Sequence, residues 1–206
     1  MNLFKSVLVV VTCLTLTNCA SRYKPLNPST VNYVSQTENK NLKLEYRYSL
    51  LEKKYAKKEI KKGVKLVALK VTNNSDKTIV FGQDATLNYA NGTPVTILNT
   101  EETFKSLKQH SALYLLYLLL TPVNFYTYET NSYGVQETTS STPVGLVLGP
   151  GIAAGNVILA SSSNKKFKNE LQQNEIIGMT IQPGETKFGL IGLKSFTYDS
   201  LKLKVN

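Results

Sequence analysis

The sequence has no tryptophan, one histidine and two cysteines, and both cysteines fall within its first 19 residues. From residue 20 onward there is no thiol to build a disulfide framework, a thiolate nucleophile or a Cys-ligated metal site. His110, without clustered carboxylates, gives no pattern for a metal centre. No Gly-x-Ser-x-Gly elbow occurs, and P-loop and dinucleotide fingerprints are missing. The residue types of common catalysis are scarce. The expectation is therefore a protein that is not an enzyme and holds no cofactor and no metal.

Acid is also in short supply. Against 24 basic residues there are 14 acidic ones, a formal charge of +10 that favours anionic surfaces such as lipid headgroups, acidic glycans or nucleic acid. The 206 residues suit one domain plus extras, with length enough for a real core.

The start of the chain narrows that choice. Lys5 supplies a positive n-region, and Val7 to Leu16 is a mostly apolar h-region too short to span a bilayer. The next residues, Leu16-Thr17-Asn18-Cys19, resemble the lipobox of bacterial lipoproteins cut by type II signal peptidase, with Asn18 where Gly, Ala or Ser is usual. The resemblance rests on the first 19 residues. It implies that Cys19 becomes the first mature residue and carries acyl chains on its sulfur and amino group. It also implies a protein of the bacterial cell envelope, tethered to a membrane through lipid, for which nucleic acid is not an expected partner. Ala20 to Lys24 contain no acid, which favours retention on the periplasmic side.

Residues 19–40 are polar, contain Pro25 and Pro28, and show no steady period, as a tether between lipid and domain would. Strand signals follow. Leu42, Leu44, Tyr46, Tyr48 and Leu50 alternate with polar residues, Val64 to Thr72 is rich in β-formers, and Asn91-Gly92 marks a hairpin turn. Later, Pro183-Gly184 marks a type II turn, and Leu201, Leu203 and Val205 alternate in a closing strand. The Val71 to Ile79 stretch resembles the early strands of immunoglobulin-like domains in exported bacterial proteins, although the Cys and Trp residues of true immunoglobulin cores are missing. The fold expected is mainly β, an antiparallel immunoglobulin-like sandwich split between residues 41–99 and 174–206.

Residues 100–173 interrupt it. Ala112 to Leu120 has no charged side chain, and Pro143 to Ala160 is broken only by Asn156. Asn99 or Thr100 can cap a helix with Glu101 and Glu102 in its first turn, and Asn164 can cap another. The expectation is an inserted apolar helical hairpin. Gly145-x-x-x-Gly149 and Gly151-x-x-x-Gly155 put small residues on one helical face and permit close helix approach. The first block reaches only about 14–18 Å as helix against a hydrocarbon core of about 30 Å. Pro150 and the glycines argue against one continuous span. Three readings stay open: a shallow hairpin in lipid, a helical lid on the domain, or an assembly face for a second copy or an envelope partner.

Candidate contacts follow from this. Leu115, Leu116, Leu119, Gly145, Gly149, Gly151 and Gly155 are expected to meet membrane or partner. Lys105, Lys108, Lys165, Lys166 and Lys168 flank the insertion and would face lipid phosphates. Lys53, Lys54, Lys57 and Lys58 read either as a solvated turn between strands or as a contact for anionic surfaces. Phe125, Tyr126, Tyr128 and Tyr133 lie between the apolar blocks as an interfacial belt, a sugar-stacking surface or simple cover for an apolar edge. The alternative function is a periplasmic binding lipoprotein whose loops hold a glycan or a hydrophobic ligand.

Overall fold

The structure, a computed structural model, describes residues 19–205. The expected signal over 1–18 lies outside the described residues. The chain divides into two compact units. One, the β unit, is formed by residues 23–109 and 163–205; the other, the inserted unit, contains residues 19–22 and 110–162.

Strand β3 (Val64–Asn73) organises the β unit. Its near-continuous apolar run gives both of its faces something to bury, as a central strand requires. It pairs antiparallel with β2 (Leu42–Arg47) and with β10 (Thr186–Lys194). With β1 (Ser35–Asn39) and β6 (Ile97–Leu98), these make a five-stranded sheet in the order β1-β2-β3-β10-β6. On one face Val67, Leu69 and Val71 pack with Leu44, Ile191 and Leu193. Opposite them lie Ile79, Leu87, Ile181 and Leu203, from the short pairs β4 (Ile79–Val80) with β9 (Thr180–Ile181) and β5 (Ala85–Tyr89) with β11 (Leu201–Val205). On the other face Val64, Leu66 and Ala68 meet helical side chains. These are Tyr55 of α1 (Lys53–Lys62), Leu107 of α2 (Thr100–Leu107), and Phe167 and Leu171 of α3 (Gly145–Gln173). Of the expected architecture the antiparallel sheets are present; among the described residues 33% are strand and 32% helix, a mixed fold with one long helix.

The Lys-rich turn expected after Leu51 is helix α1. Tyr55 and Glu59, four residues apart, share its buried face, and Gly63 ends it in the left-handed region at φ 59° with its N–H on the Glu59 carbonyl. The tether is corrected too. Tyr23 is 3% exposed, and its ring lies 5.1 Å from those of both Tyr55 and Phe167. Its N–H donates to Ser163 Oγ at 3.2 Å, and its hydroxyl donates to Glu170. Leu26 N–H donates to the other Glu170 oxygen at 2.7 Å, and residues 35–39 are strand β1. An irregular segment anchored by single aromatic and amide contacts leaves no period in the sequence.

Several turn and cap signals are met. Gly92 and Gly184 both have positive φ, and the Asn99–Glu102 capping box starts α2. Asn91-Gly92 turns the chain as expected, with Tyr89 N–H donating to the Thr93 carbonyl and Val95 N–H to the Leu87 carbonyl across the hairpin, and β6 then pairs with β10.

In the inserted unit the helical hairpin is replaced by three elements. Ser111–Leu120 is a 3-10 helix, and Phe125–Thr130 (β7) pairs with Gln136–Thr142 (β8) in an exposed β-hairpin. The first 18 residues of α3, Gly145 to Ser162, complete the unit. The 3-10 geometry has a visible cause. Tyr114, Tyr117 and Leu120 recur every three residues, the 3-10 period, and pack against Ala153, Val157 and Ala160. Helix α3 is continuous through Asn164, so no separate helix starts there. Pro150 lies in its second turn, where it forfeits a single backbone hydrogen bond.

Candidate membrane-facing site

The inserted unit buries one stripe of α3, at Gly145, Gly149, Ala153, Asn156 and Ala160. Those steps of three and four keep a single helical face turned inward. The rest of this apolar half faces outward, with Val147 76% exposed and Ile158 68% exposed. On the 3-10 helix Tyr114, Tyr117 and Leu120 turn in, and the other leucines turn out. Leu115, Leu116 and Leu119 are all exposed, Leu119 at 74%. Across residues 110–162 the only charged side chains are Glu129 and Glu137, both on the β-hairpin. Phe125, Tyr126, Tyr128 and Tyr133 are exposed on that hairpin.

The two glycine pairs separate. A Cβ on Gly145 would stand 2.2 Å from the Leu120 carbonyl oxygen, and one on Gly149 would stand 3.1 Å from the Thr121 amide nitrogen. These glycines let the helix lie on backbone of its own unit, so the expected membrane or partner contact at Gly145 and Gly149 is corrected. A Cβ on Gly151 or Gly155 would meet nothing within 4 Å. Small residues there form part of the open face.

Helix α3 is long and apolar enough to cross a membrane by length and composition, with a mean hydropathy of 1.4 over its best window, 22% buried. Its last third is different in kind. Lys165, Lys166, Lys168 and Glu170 enter the sequence there, and Phe167 and Leu171 serve the β-unit core.

The basic groups are also distributed unevenly. Lys53 and Lys57 are exposed on α1, whereas Lys54 and Lys58 are half-buried. Burial and the neighbouring Lys62, Lys61 and Lys54 hold the Lys58 ammonium below its ordinary range. Among the lysines beside the insertion, Lys168 pairs with Glu101 at 2.8 Å, and Lys105 approaches the same carboxylate at 3.8 Å. Lys168 holds the Glu101 carboxyl below the usual carboxylate range. Part of the expected cationic base is therefore neutralised internally.

Glu59 and Glu170 carried no expectation and Asn156 only that it breaks an apolar block, and the fold buries all three. Glu59 is 2% exposed, its Oε1 accepts from Leu66 N–H at 2.7 Å, and burial pushes its carboxyl up to about 7. Burial likewise raises Glu170, against the pull of the Tyr23 and Leu26 donors. Asn156 accepts from Ala20 N–H at 2.5 Å and donates from Nδ2 to the Ile152 carbonyl at 2.8 Å. Its signal in the sequence is an amide alone in an apolar block. Cys19 is exposed, and the Tyr117 phenol is raised by burial and by the neighbouring Cys19.

Among the described residues no group of three or more His, Cys, Asp or Glu is placed to hold a metal ion. In the β unit an open groove is lined by Asn27, Lys166, Asn169, Gln173 and Asn174 together with Pro25, Leu26 and Glu170. Compared with known proteins, the chain matches no family model, no curated protein and no solved structure.

Proposed function

We propose that this chain is a non-enzymatic, lipid-anchored protein of the bacterial cell envelope, on the periplasmic side, whose inserted unit contacts membrane. The observation that carries the reading is the outward apolar surface of residues 113–119 and 146–158, free of charged side chains. An exposed patch of this kind marks a membrane or protein contact. The lipobox-like Leu16-Thr17-Asn18-Cys19 supplies the anchor in this reading. Two acyl chains already hold a protein stably on a bilayer, so the apolar unit adds contact and orientation to an existing attachment. Shallow insertion is favoured over spanning, because the stripe Gly145, Gly149, Ala153, Asn156 and Ala160 of α3 is buried within its own unit and not open to lipid. For the β unit we propose a distant immunoglobulin-like sandwich, supported by an apolar core between the five-stranded sheet and the two short strand pairs. A partner helix or a second copy on the same face is the competing outcome.

The test is a Cys19→Ala variant. The expected result is loss of acyl mass and a shift from the membrane fraction toward the soluble one. Unchanged membrane association would show that lipid on Cys19 is not what holds the protein.

A second reading, a binding lipoprotein for a glycan, is favoured by the groove of the β unit. Asn169 and Gln173 beside Lys166 offer both donors and acceptors, as sugar hydroxyls require. Saturable chemical-shift changes at Asn169 and Gln173 on titration with envelope oligosaccharides would support it, and their absence would remove it.

A further inference from the structure

An asparagine inside an apolar helix is costly unless both ends of its amide are satisfied. Asn156 meets the first requirement locally, by donating to the carbonyl four residues back. Its oxygen is satisfied from a residue 136 positions away in sequence, the N–H of Ala20. That donor is a peptide amide whatever is attached to the amino group or sulfur of Cys19. Acylation of Cys19 therefore leaves the hydrogen bond intact. Ala20 also packs against the cluster of Tyr114, Tyr117, Ala153 and Ala160, so its position is fixed by shape as well as by the amide.

We infer that Asn156 fixes the acyl-bearing end of the chain on the inserted unit, so that the acyl chains and the exposed leucine face enter one lipid leaflet together. The inference rests on the lipid-anchor reading. Cys19 is one residue from Ala20, a Cα step of about 3.8 Å, and it neighbours Tyr117. Acyl chains leaving Cys19 start on the same unit that exposes Leu116 and Leu119. The occupant of that surface is therefore lipid. A partner helix seated there would have to share the space with hydrocarbon chains bound to the same unit.

The absence of tryptophan makes the test clean, because one introduced indole reports alone. Full-length protein carrying Leu116→Trp is produced in a host that processes lipoproteins, and its acylation is verified by mass spectrometry. It is then reconstituted in phosphatidylethanolamine–phosphatidylglycerol vesicles containing brominated acyl chains. The expected result is blue-shifted emission strongly quenched by the brominated lipid. In the double variant with Asn156→Leu the helix is retained by circular dichroism, acylation is unchanged, and quenching falls. Acylated protein whose indole is not quenched overturns the inference while the lipid-anchor reading stands. Protein that carries no acyl mass overturns both. Unaltered quenching in the folded, acylated double variant overturns the role of Asn156.

Discussion

Gln109 and Asn164 stand 55 positions apart in sequence and grip each other through two hydrogen bonds. Gln109 N–H donates to Asn164 Oδ1 at 2.9 Å, and Asn164 Nδ2 donates to the Gln109 carbonyl at 2.8 Å. The Tyr55 hydroxyl donates to the same Oδ1 at 3.1 Å. All three groups are buried, and together they close the β unit where the chain leaves it and returns.

Excision follows from that closure. Joining Gln109 to Ser163 through a short Gly-Ser linker, with residues 110–162 removed, yields a folded β unit with strand and helix signals in circular dichroism and one cooperative melt. A product without cooperative unfolding would show that the closure is insufficient. Within the intact chain, Asn164→Ala leaves the buried Gln109 amide unpaired and costs about 1–3 kcal/mol in denaturant unfolding.

The glycine pairs make opposite predictions for one substitution. Gly145→Ala drives a methyl into the Leu120 carbonyl and lowers the melting temperature of the inserted unit. Gly155→Ala meets open space, removes a weak helix former and stabilises α3 by up to about 1 kcal/mol. Differential scanning fluorimetry of the two variants decides the matter. Equal melting temperatures would contradict the packing at Gly145.

Glu59 gives the β unit a pH dependence whose sign is fixed. Burial lifts its carboxyl from an ordinary value of 4.5 to about 7 in the fold. The folded state then holds a proton that the unfolded state has released between those values. Its stabilising contribution is complete below about 4.5 and is lost as pH rises toward 7, an effect of order 3 kcal/mol at most. Glu59→Gln keeps an oxygen for Leu66 N–H and carries no charge, so it is more stable than the parent at pH 8 and its stability varies less from pH 5 to 8. Urea denaturation across that range measures it, and parallel pH profiles would refute the assignment.

The lysines of α1 are tested by neutral substitution. Gln at Lys53 and Lys57 leaves the melting temperature unchanged, because both side chains are exposed. If α1 meets an anionic surface, the same changes weaken binding of the Cys19→Ala protein to phosphatidylglycerol vesicles and flatten its salt dependence. Equal binding by sedimentation would leave the lysines as solvated surface.

Patterns that repeat over a few residues were legible in the sequence. The alternation of Leu42 to Tyr46, the buried run of β3, the Asn99 capping box and the closing strand all follow from local periods and turn chemistry. Helix α1 was hidden because Tyr55 and Glu59 carry its buried face while lysines crowd the remainder. Tyr23 and Glu170 left no local signal and Asn164 read only as a helix cap, since the partners of each lie far away in the chain.

The sequence by itself determined the chemistry of the insertion, an apolar pair of blocks with almost no charge, and the alternating strands around it. It also contained two Gly-x-x-x-Gly pairs that read alike, because spacing alone places both on a helical face. Only the tertiary structure decided between them. Gly145 and Gly149 are taken up by the Leu120–Thr121 backbone, and Gly151 and Gly155 face open space. The physical reason is that what a residue meets depends on chain brought back from elsewhere. The same return of chain, from Ala20 to Asn156, turned the one polar break in an apolar block into the place where the two ends of the inserted unit join.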